Sequence, residues 1–376
     1  MCIRDSVYCT PAAPPQIRYR LPSSTITGIE VTPNGDILLA SANYLSRIRQ
    51  DGSVAWTKEI IPSTGNLYII NQTPDHGVLT ISYSRNLMRW DSNGQLLWSS
   101  KIAPGISANV FSSDFTASLD GSFLLGGKIN DSLIWVCFSA HGEERWRVNT
   151  PDLGYYNNKS IAATDGGYYI ILQNPSEVTT STLHISKDGI PVWGKKYLPI
   201  QQYNLYTNNI VAEPDGGFSF TSENYLVRCN QEGEVIWAKK FTSPNSDFSS
   251  STSVFLKKNK DNGYYYSTAK SNNSNAIQYF MKLDSLGEFL WGFQVKGVGI
   301  GICYAIAESA QGLVFPIIDP VFSNKMYLMR PNNNGYAGGC AEQPFYANVS
   351  PAFISSSSTS LPLQPSPIQS VTPYPL

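Results

Sequence analysis

One spacing, a glycine followed four residues later by a tryptophan, recurs six times along this chain. Six of the eight tryptophans stand in that slot, and successive repeat glycines are 42, 48, 47, 44 and 54 residues apart. A period of roughly 40–50 residues is typical of repeat proteins that form rings or stacks. We predict a structural role for the six pairs, which are Gly52 and Trp56, Gly94 and Trp98, Gly142 and Trp146, Gly189 and Trp193, Gly233 and Trp237, and Gly287 and Trp291.

A second turn signal lies upstream of each pair, as at Asn34-Gly35 and Asp120-Gly121. Asn-Gly and Asp-Gly supply the positive φ angles of tight hairpin turns. A four-stranded antiparallel unit at this period predicts an all-β fold, a β-propeller, with a solenoid of stacked sheets as the competing geometry. In the first repeat the predicted strands are Gly28–Thr32, Asp36–Ala42, Tyr44–Arg49 and Ser53–Glu59.

The seventh repeat is incomplete, because Gly339 stands four residues after Gly335, where a tryptophan is expected. A short strand at residues 16–21 precedes the first blade, with Tyr19 in the tryptophan slot. We predict that it pairs with the strand Lys325–Arg330 and closes a seven-bladed ring, because closure removes exposed sheet edges. The predicted propeller spans 15–346, with blades at about 28–60, 69–101, 115–149, 160–197, 209–241, 251–295 and 304–335.

Both ends of the chain differ in character from the repeats. Residues 1–6 resemble a translated sequencing adaptor, so we expect a metagenomic fragment whose true start is missing, followed by an N-terminal extension at 7–14. Residues 347–376 are rich in serine, proline and threonine. Such a composition cannot bury enough apolar surface to fold alone, which predicts a linker, truncated at the end of the chain.

Each repeat tryptophan places a large flat side chain on the last strand of its blade, where it can pack against the neighbouring blade. The position two residues after the glycine is expected on the same strand face. Glu144 is the exception at that position, which predicts looser packing in the third blade. The other five blades have an apolar residue there, namely Val54, Leu96, Pro191, Val235 and Phe289.

Charge and hydropathy exclude two classes of partner. Lysine and arginine total 27 against 28 aspartate and glutamate, so no global field attracts nucleic acid or an anionic membrane. No apolar run approaches the roughly 20 residues that a membrane-spanning helix needs. We therefore expect no nucleic-acid partner, no transmembrane segment and a monomeric fragment.

The residues that carry chemistry do not cluster in the sequence. Most aspartates occupy turns, where a carboxylate that accepts backbone hydrogen bonds is sufficient explanation. Asp91-Ser92-Asn93-Gly94 resembles part of a calcium loop but lacks the following acidic ligand. The three histidines, His76, His141 and His184, share no metal-ligand spacing. No catalytic, cofactor-binding or metal residue is identified, and no cofactor is predicted.

The cysteines and tyrosines leave alternatives open. Cys9 and Cys340 flank the proposed ring closure, so a disulfide that staples the ring is one interpretation and two free thiols the other. Cys137, Cys229 and Cys303 are expected to be small buried hydrophobes. Nine tyrosines could form aromatic platforms for a glycan or peptide, or they could simply be strand residues. The second interpretation is favoured, because tyrosine is common in strands. These tyrosines are Tyr155, Tyr156, Tyr168, Tyr169, Tyr203, Tyr206 and Tyr264 to Tyr266.

Two family resemblances follow from the repeat. The stretch 226–237, Leu-Val-Arg-Cys-Asn-Gln-Glu-Gly-Glu-Val-Ile-Trp, and the stretch 282–291 resemble the repeat of pyrroloquinoline-quinone propellers, Leu-Asp-x-x-Thr-Gly-x-x-x-Trp. Asp165-Gly166-Gly167-Tyr168 and Asp215-Gly216-Gly217-Phe218 resemble the Asp-Gly-Gly-Tyr signature of secreted repeat proteins of the Bacteroidetes type. That resemblance implies a propeller, export by type IX secretion and location at the cell surface.

A binding or scaffold module is the function that these observations favour, with an unknown protein or glycan ligand. The alternative is a carbohydrate-active or quinone-type propeller enzyme. An enzyme should bring two or more carboxylates, or a metal cluster, to one end of the central channel. A binding module should present an aromatic or polar face without such a cluster.

Overall fold

The predicted turn dipeptides close β-hairpins in a computed structural model of the chain. Gly35 and Gly52 have φ angles of 85° and 92°, the left-handed conformation that these turns require. The structure describes residues 17–20, 26–32, 34–41, 43–60, 67–82, 84–102, 115–129, 132–149, 156–174, 179–198, 209–222, 224–242, 252–272, 275–297, 306–309, 312–318, 325–329, 342–344, 348–358 and 364–365.

The strands of the repeats agree with the predicted bounds to within a few residues. The first described strand is β1 (Ile17–Arg20). The six complete repeats form β2–β5 (Ile26–Val31, Ile37–Ser41, Tyr44–Ile48, Val54–Glu59), β6–β9 (Leu67–Gln72, Val78–Ser82, Asn86–Trp90, Leu96–Lys101), β10–β13 (Phe115–Ala117, Phe123–Ile129, Ser132–Phe138, Glu144–Asn149), β14–β17 (Tyr156–Ala162, Tyr168–Asn174, Thr179–Ile185, Pro191–Leu198), β18–β21 (Asn209–Ala212, Phe218–Ser222, Tyr225–Cys229, Val235–Thr242) and β22–β25 (Thr252–Lys258, Tyr264–Asn272, Asn275–Leu283, Phe289–Gly297).

Each complete repeat forms one sheet of four consecutive antiparallel strands, and we call these sheets blades 1 to 6. The first strands of neighbouring blades contact one another in series, from β2 and β6 through to β18 and β22. They therefore lie at the inside, and the fourth strands lie at the rim. This arrangement is that of a β-propeller, as predicted.

The predicted count of seven blades is corrected to six. The seventh repeat has neither the tryptophan nor a fourth strand of its own, so it does not form a blade like the others. Its strands are β26 (Ala307–Ser309), β27 (Gly312–Ile318) and β28 (Lys325–Met329), and β1 adds to them with Tyr19 opposite Met326. The predicted pairing of the N-terminal strand with β28 is thus confirmed, and closure of the ring by this sheet stays a prediction.

The hydrophobic core lies between blades. One cluster joins Leu79 and Ile81 of blade 2 to Phe123 and Val136 of blade 3. Further clusters join blades 1 and 2, 3 and 4, 4 and 5, and 5 and 6 in the same way. Because each sheet is covered by the next, each blade depends on its neighbours for burial of its apolar faces.

The segment predicted as a linker, 347–376, lies partly against the rim, and so does one short strand just before it. Four short strands add to the fourth strands of blades 6, 5, 4 and 3 in that order. Strand addition uses backbone hydrogen bonds, so a segment poor in apolar residues can still be held. These strands are β29 (Glu342–Pro344), β30 (Asn348–Pro351), β31 (Ser355–Ser358) and β32 (Gln364–Pro365).

Strands and turns make up the described part of the chain, and it contains no helix of the length and apolar character that crossing a bilayer requires.

Candidate functional site

Five of the six repeat tryptophans pack on a glycine of the following blade. A Cβ atom placed on that glycine would come within 2.7–2.9 Å of the indole ring. The glycine is therefore needed twice, for its positive φ angle and for this close approach. The pairs are Trp56 on Gly94, Trp98 on Gly142, Trp146 on Gly189, Trp193 on Gly233 and Trp237 on Gly287.

The indole N–H groups also bond to the following blade. Trp146 Nε1 donates to the carbonyl oxygen of Lys187 at 2.7 Å, in the turn that contains Gly189. Trp56, Trp98 and Trp193 donate in the same way to Ser92, Ala140 and Gln231, at 3.0, 3.1 and 3.0 Å. The Gly-x-x-x-Trp repeat thus connects neighbouring blades, because the indole ring of one blade packs on the glycine turn of the next.

A basic side chain stands opposite the tryptophan in five of the six blades and pairs with the aspartate of the blade's first turn. This pairing ties the two turns of one blade together at the same end of the ring. The pairs are Arg47 with Asp36 (2.8 Å), Arg89 with Asp75, His184 with Asp165 (3.1 Å), Arg228 with Asp215 (2.5 Å) and Lys282 with Asp261 (3.0 Å). We call this end of the ring the turn face.

The pKa values of the paired groups follow from burial and contacts. Burial raises the pKa of Asp215, but hydrogen bonds from Gly217 and Arg228 and the charge of Arg228 outweigh it, so the pKa lies below its usual value. Burial lowers the pKa of His184 by more than Asp165 raises it. The ring nitrogens of His184 have no hydrogen-bond partner among the described residues despite the short distance to Asp165. The position that a cation fills in blades 1, 2, 5 and 6 is therefore filled in blade 4 by an imidazole whose neutral form is favoured by burial.

Blade 3 departs from this pattern. Cys137 stands opposite Trp146, and burial raises the pKa of its thiol to about 11. Asp120 instead pairs at 2.9 Å with Arg145, and both side chains are about half exposed. Beside them, Leu119 is 86% exposed. The turn face of blade 3 therefore lacks the buried basic side chain that stands opposite the tryptophan in its neighbours, and it presents an exposed apolar side chain.

Two cavities flank Leu119 and Asp120 on the turn face. One, of about 580 Å³, lies between blades 3 and 4 and is lined by Trp146, Arg145 and Lys187. The other, of about 540 Å³, lies between blades 2 and 3. Its lining includes Leu97, Trp98, Asp75, Arg89 and His141. We call these cavities the blade 3 grooves; they combine apolar surface with charges of both signs.

Glu144, predicted to loosen blade 3, forms an ion pair with Arg147. Arg147 Nε donates to Glu144 Oε1 at 2.9 Å and Nη2 donates to Oε2 at 2.6 Å. The two side chains are only 3% and 2% exposed. A two-pronged hydrogen-bonded pair fills the position that an apolar residue fills elsewhere.

Several predicted site residues lie outside the described residues or are described in backbone only. Cys9, Cys340 and Gly339 lie outside them, and so do Tyr155, Tyr203 and Tyr206; of Tyr19 and Tyr156 only the backbone is described. The remaining tyrosines of the suggested platforms are at most 3% exposed, so they belong to the core: Tyr168, Tyr169, Tyr264, Tyr265 and Tyr266.

The first strands of blades 1, 4 and 6 bring charged side chains towards one another at the inside of the ring. Glu30, on the first strand of blade 1, has a raised pKa because burial outweighs the positive charges of Lys257 and Lys159. Lys257 Nζ donates to the carbonyl oxygen of Val31 at 3.1 Å.

Within the described ranges, no group of three or more histidine, cysteine, aspartate or glutamate side chains could hold a metal ion. Asp91 accepts backbone hydrogen bonds from Asn93 and Gln95, as in a hairpin turn.

No protein-family model and no curated protein sequence matches the chain. Among solved structures, a chain from the crystal structure of the mitotic checkpoint complex matches with a TM-score of 0.59 at 10% identity, covering 89% of this chain and 98% of that one. A protein of unknown function from Bacteroides caccae matches with a TM-score of 0.47 at 14% identity, covering 71% and 94%. BamB from Moraxella catarrhalis matches with a TM-score of 0.43 at 13% identity, covering 81% and 82%. At such identities the first likeness shows the fold alone, and the other two carry no argument.

Proposed function

We propose that this protein is a binding module that recognises a segment of another protein at the blade 3 grooves. The observation that carries the proposal is the exposed Leu119 between two cavities, at the one described blade that has no basic side chain opposite its tryptophan. An apolar side chain surrounded by charged groups is typical of the centre and rim of a protein interface. The ligand therefore offers an apolar side chain and at least one charged group.

A protein segment fits the grooves better than a glycan does. Glycan binding through aromatic stacking needs an open ring face, whereas Trp98 and Trp146 pack on Gly142 and Gly189. Trp146 is only 9% exposed. The apolar surface that remains open near the grooves is aliphatic and comes from Leu119 and Leu97. No specific observation in the described residues favours the enzyme alternative.

A selection from a random peptide library on the full chain tests this proposal. The selected peptides are expected to bind the Leu119→Asp variant at least ten-fold more weakly than the unmodified protein, because a charge replaces the central apolar contact. Leu286→Asp is the matched control, since Leu286 is 61% exposed in a turn of blade 6. Equal weakening by both substitutions, or by neither, would contradict the proposal.

Closure of the ring by the sheet of β26, β27, β28 and β1 is part of the same proposal. Support comes from the pairing of β1 with β28 and from Glu308 of β26, whose Oε2 accepts from the Lys260 backbone N–H of blade 6 at 2.8 Å. A Cys9–Cys340 disulfide would reinforce the closure. Mass spectrometry of the non-reduced protein tests the disulfide, and two alkylated thiols would exclude it.

Export to the cell surface of a bacterium of the Bacteroidetes type also belongs to the proposal. It rests on the Asp-Gly-Gly-Tyr and Gly-x-x-x-Trp repeats, which resemble those of proteins secreted by the type IX route. The uninterrupted gene tests it: a signal peptide and a C-terminal sorting domain are expected. A gene that lacks both would refute export by this route.

A further inference from the structure

The C-terminal segment follows the rim of the ring against the order of the blades. β30 pairs with β21 of blade 5, with Val349 opposite Phe241. β31 pairs with β17 of blade 4, with Ser356 opposite Tyr197. The residues between them, 352–354, cross from one blade to the next. One extended segment thus covers the outer edges of two neighbouring sheets.

Some side chains of this segment pack on the ring and others face solvent. Val349 packs against the core cluster between blades 5 and 6. Ala352 and Ile354 pack against the cluster between blades 4 and 5, and Ala352 N–H donates to the carbonyl oxygen of Ala238 at 2.9 Å. Phe353, between them, is 96% exposed. The rim therefore holds the segment in two ways, by backbone hydrogen bonds and by contacts with particular apolar side chains.

The segment is uncharged, whereas the rim beneath it is charged, with Lys195 paired with Glu234 and Lys239 paired with Glu288. Residues 347–376 contain no aspartate, glutamate, lysine or arginine. The paired edge carries four lysines, Lys195, Lys196, Lys239 and Lys240. Lysines on an edge strand discourage unspecific pairing, and a segment that is uncharged adds no repulsion of its own. Ser356 Oγ donates to Glu234, which also pairs with Lys195.

We propose that the rim of blades 4 and 5 is a peptide-binding surface and that residues 348–358 are its resident ligand, held in cis. Its ligand class is an extended, uncharged protein segment with apolar side chains at the positions of Val349 and Ile354. A partner protein that carries such a segment takes the place of the tail by strand addition. This surface is separate from the blade 3 grooves and does not depend on the function proposed for them.

The tail can be weakened in the full chain by Val349→Asp together with Ile354→Asp. The probe is a fluorescent peptide of residues 346–358, and its anisotropy reports binding. The doubly substituted chain is expected to bind the probe at least ten-fold more tightly than the unmodified chain, whose own tail competes at high effective concentration. Phe353→Asp is the control substitution and is expected to leave binding unchanged, because Phe353 contacts solvent.

Three results would overturn the proposal. They are no gain in probe binding by the doubly substituted chain, an equal gain from Phe353→Asp, and equal binding of a probe that carries the two aspartates. Hydrogen exchange of the unmodified protein gives a test that needs no variant. The Ala352 amide is expected to exchange at least 100-fold faster than that of Val227 in the middle of blade 5, since a replaceable ligand must open without unfolding of the ring. Equal rates would show that the tail is part of the blade.

Discussion

Gly189 and Gly166 form a matched pair for testing the contact between tryptophan and glycine. Both lie in turns of blade 4, with φ angles of 80° and 84°. A Cβ atom on Gly189 would come within 2.7 Å of the Trp146 ring, whereas a Cβ atom on Gly166 meets nothing closer than Lys187 Cβ at 3.8 Å. Alanine at the two positions therefore brings the same backbone strain but a different steric clash.

The expected losses follow from these two terms. The left-handed conformation costs an alanine about 1–2 kcal/mol, which both variants share. Gly189→Ala must also displace the Trp146 ring, whose Nε1 is bonded to Lys187 O and whose side chain packs against Tyr168. Overpacking of this kind costs about 1–3 kcal/mol more. Gly189→Ala is therefore expected to lower the free energy of unfolding by about 1–3 kcal/mol more than Gly166→Ala.

Equilibrium urea unfolding, followed by far-ultraviolet circular dichroism, measures the difference. The same pair of substitutions in a Trp146→Ala background completes a double-mutant cycle. There Gly189→Ala is expected to be no worse than Gly166→Ala, because the clashing ring is gone. Equal losses in the unmodified background, or an excess loss at Gly189 that persists without Trp146, would refute the reasoning.

Three further outcomes follow from charge and burial. Arg228→Ala is expected to destabilise the fold by about 3 kcal/mol, because it removes a buried cation from its carboxylate partners. Arg145→Ala, at an exposed pair, should cost less than about 1 kcal/mol. Equal losses in urea unfolding would contradict this. Burial raises the pKa of Cys137 to about 11 and that of Cys229 to about 12. Iodoacetamide at pH 8 should therefore label these two thiols only after unfolding. Labelling of either thiol in the native protein would count against their burial. Burial lowers the pKa of His184, so its contribution to stability is present above the usual histidine pKa and is lost as pH falls through the lowered value. His184→Gln should flatten the loss of stability as the pH falls below the usual histidine pKa of about 6.5, and an unchanged slope would refute this.

The spacing of glycine and tryptophan predicted the blade because one side chain and one backbone conformation recur at fixed positions. The strand bounds followed from turn dipeptides: the predicted strand Tyr44–Arg49 is observed as Tyr44–Ile48. The count of blades was wrong because the seventh repeat lacks the tryptophan on which counting depends. Its N-terminal partner strand could be found because a lone strand with an aromatic residue in the same slot is visible in the sequence.

The candidate site was mostly hidden from the sequence. Cys137 can be recognised as the counterpart of the basic residues in the other blades only when its cross-strand register with Trp146 is known. The signal at hand was Glu144, an acidic residue in an apolar column, but it marks a buried ion pair and not the groove. Leu119 reads as an ordinary turn residue until two neighbouring blades bring cavities to either side of it. The rim strands were missed because the apolar side chains that pack on the ring, Val349 and Ile354 among them, are few in a segment rich in serine and proline.

The central functional claim, recognition of a protein segment at the blade 3 grooves, is tested most directly by hydrogen exchange of the unmodified full chain with a selected peptide bound. The account predicts slower exchange of the amides in the two turns that flank the grooves, Ser118–Gly121 and Ser139–Gly142. Protection confined to the inside of the ring or to the rim, with these turns unchanged, would contradict it.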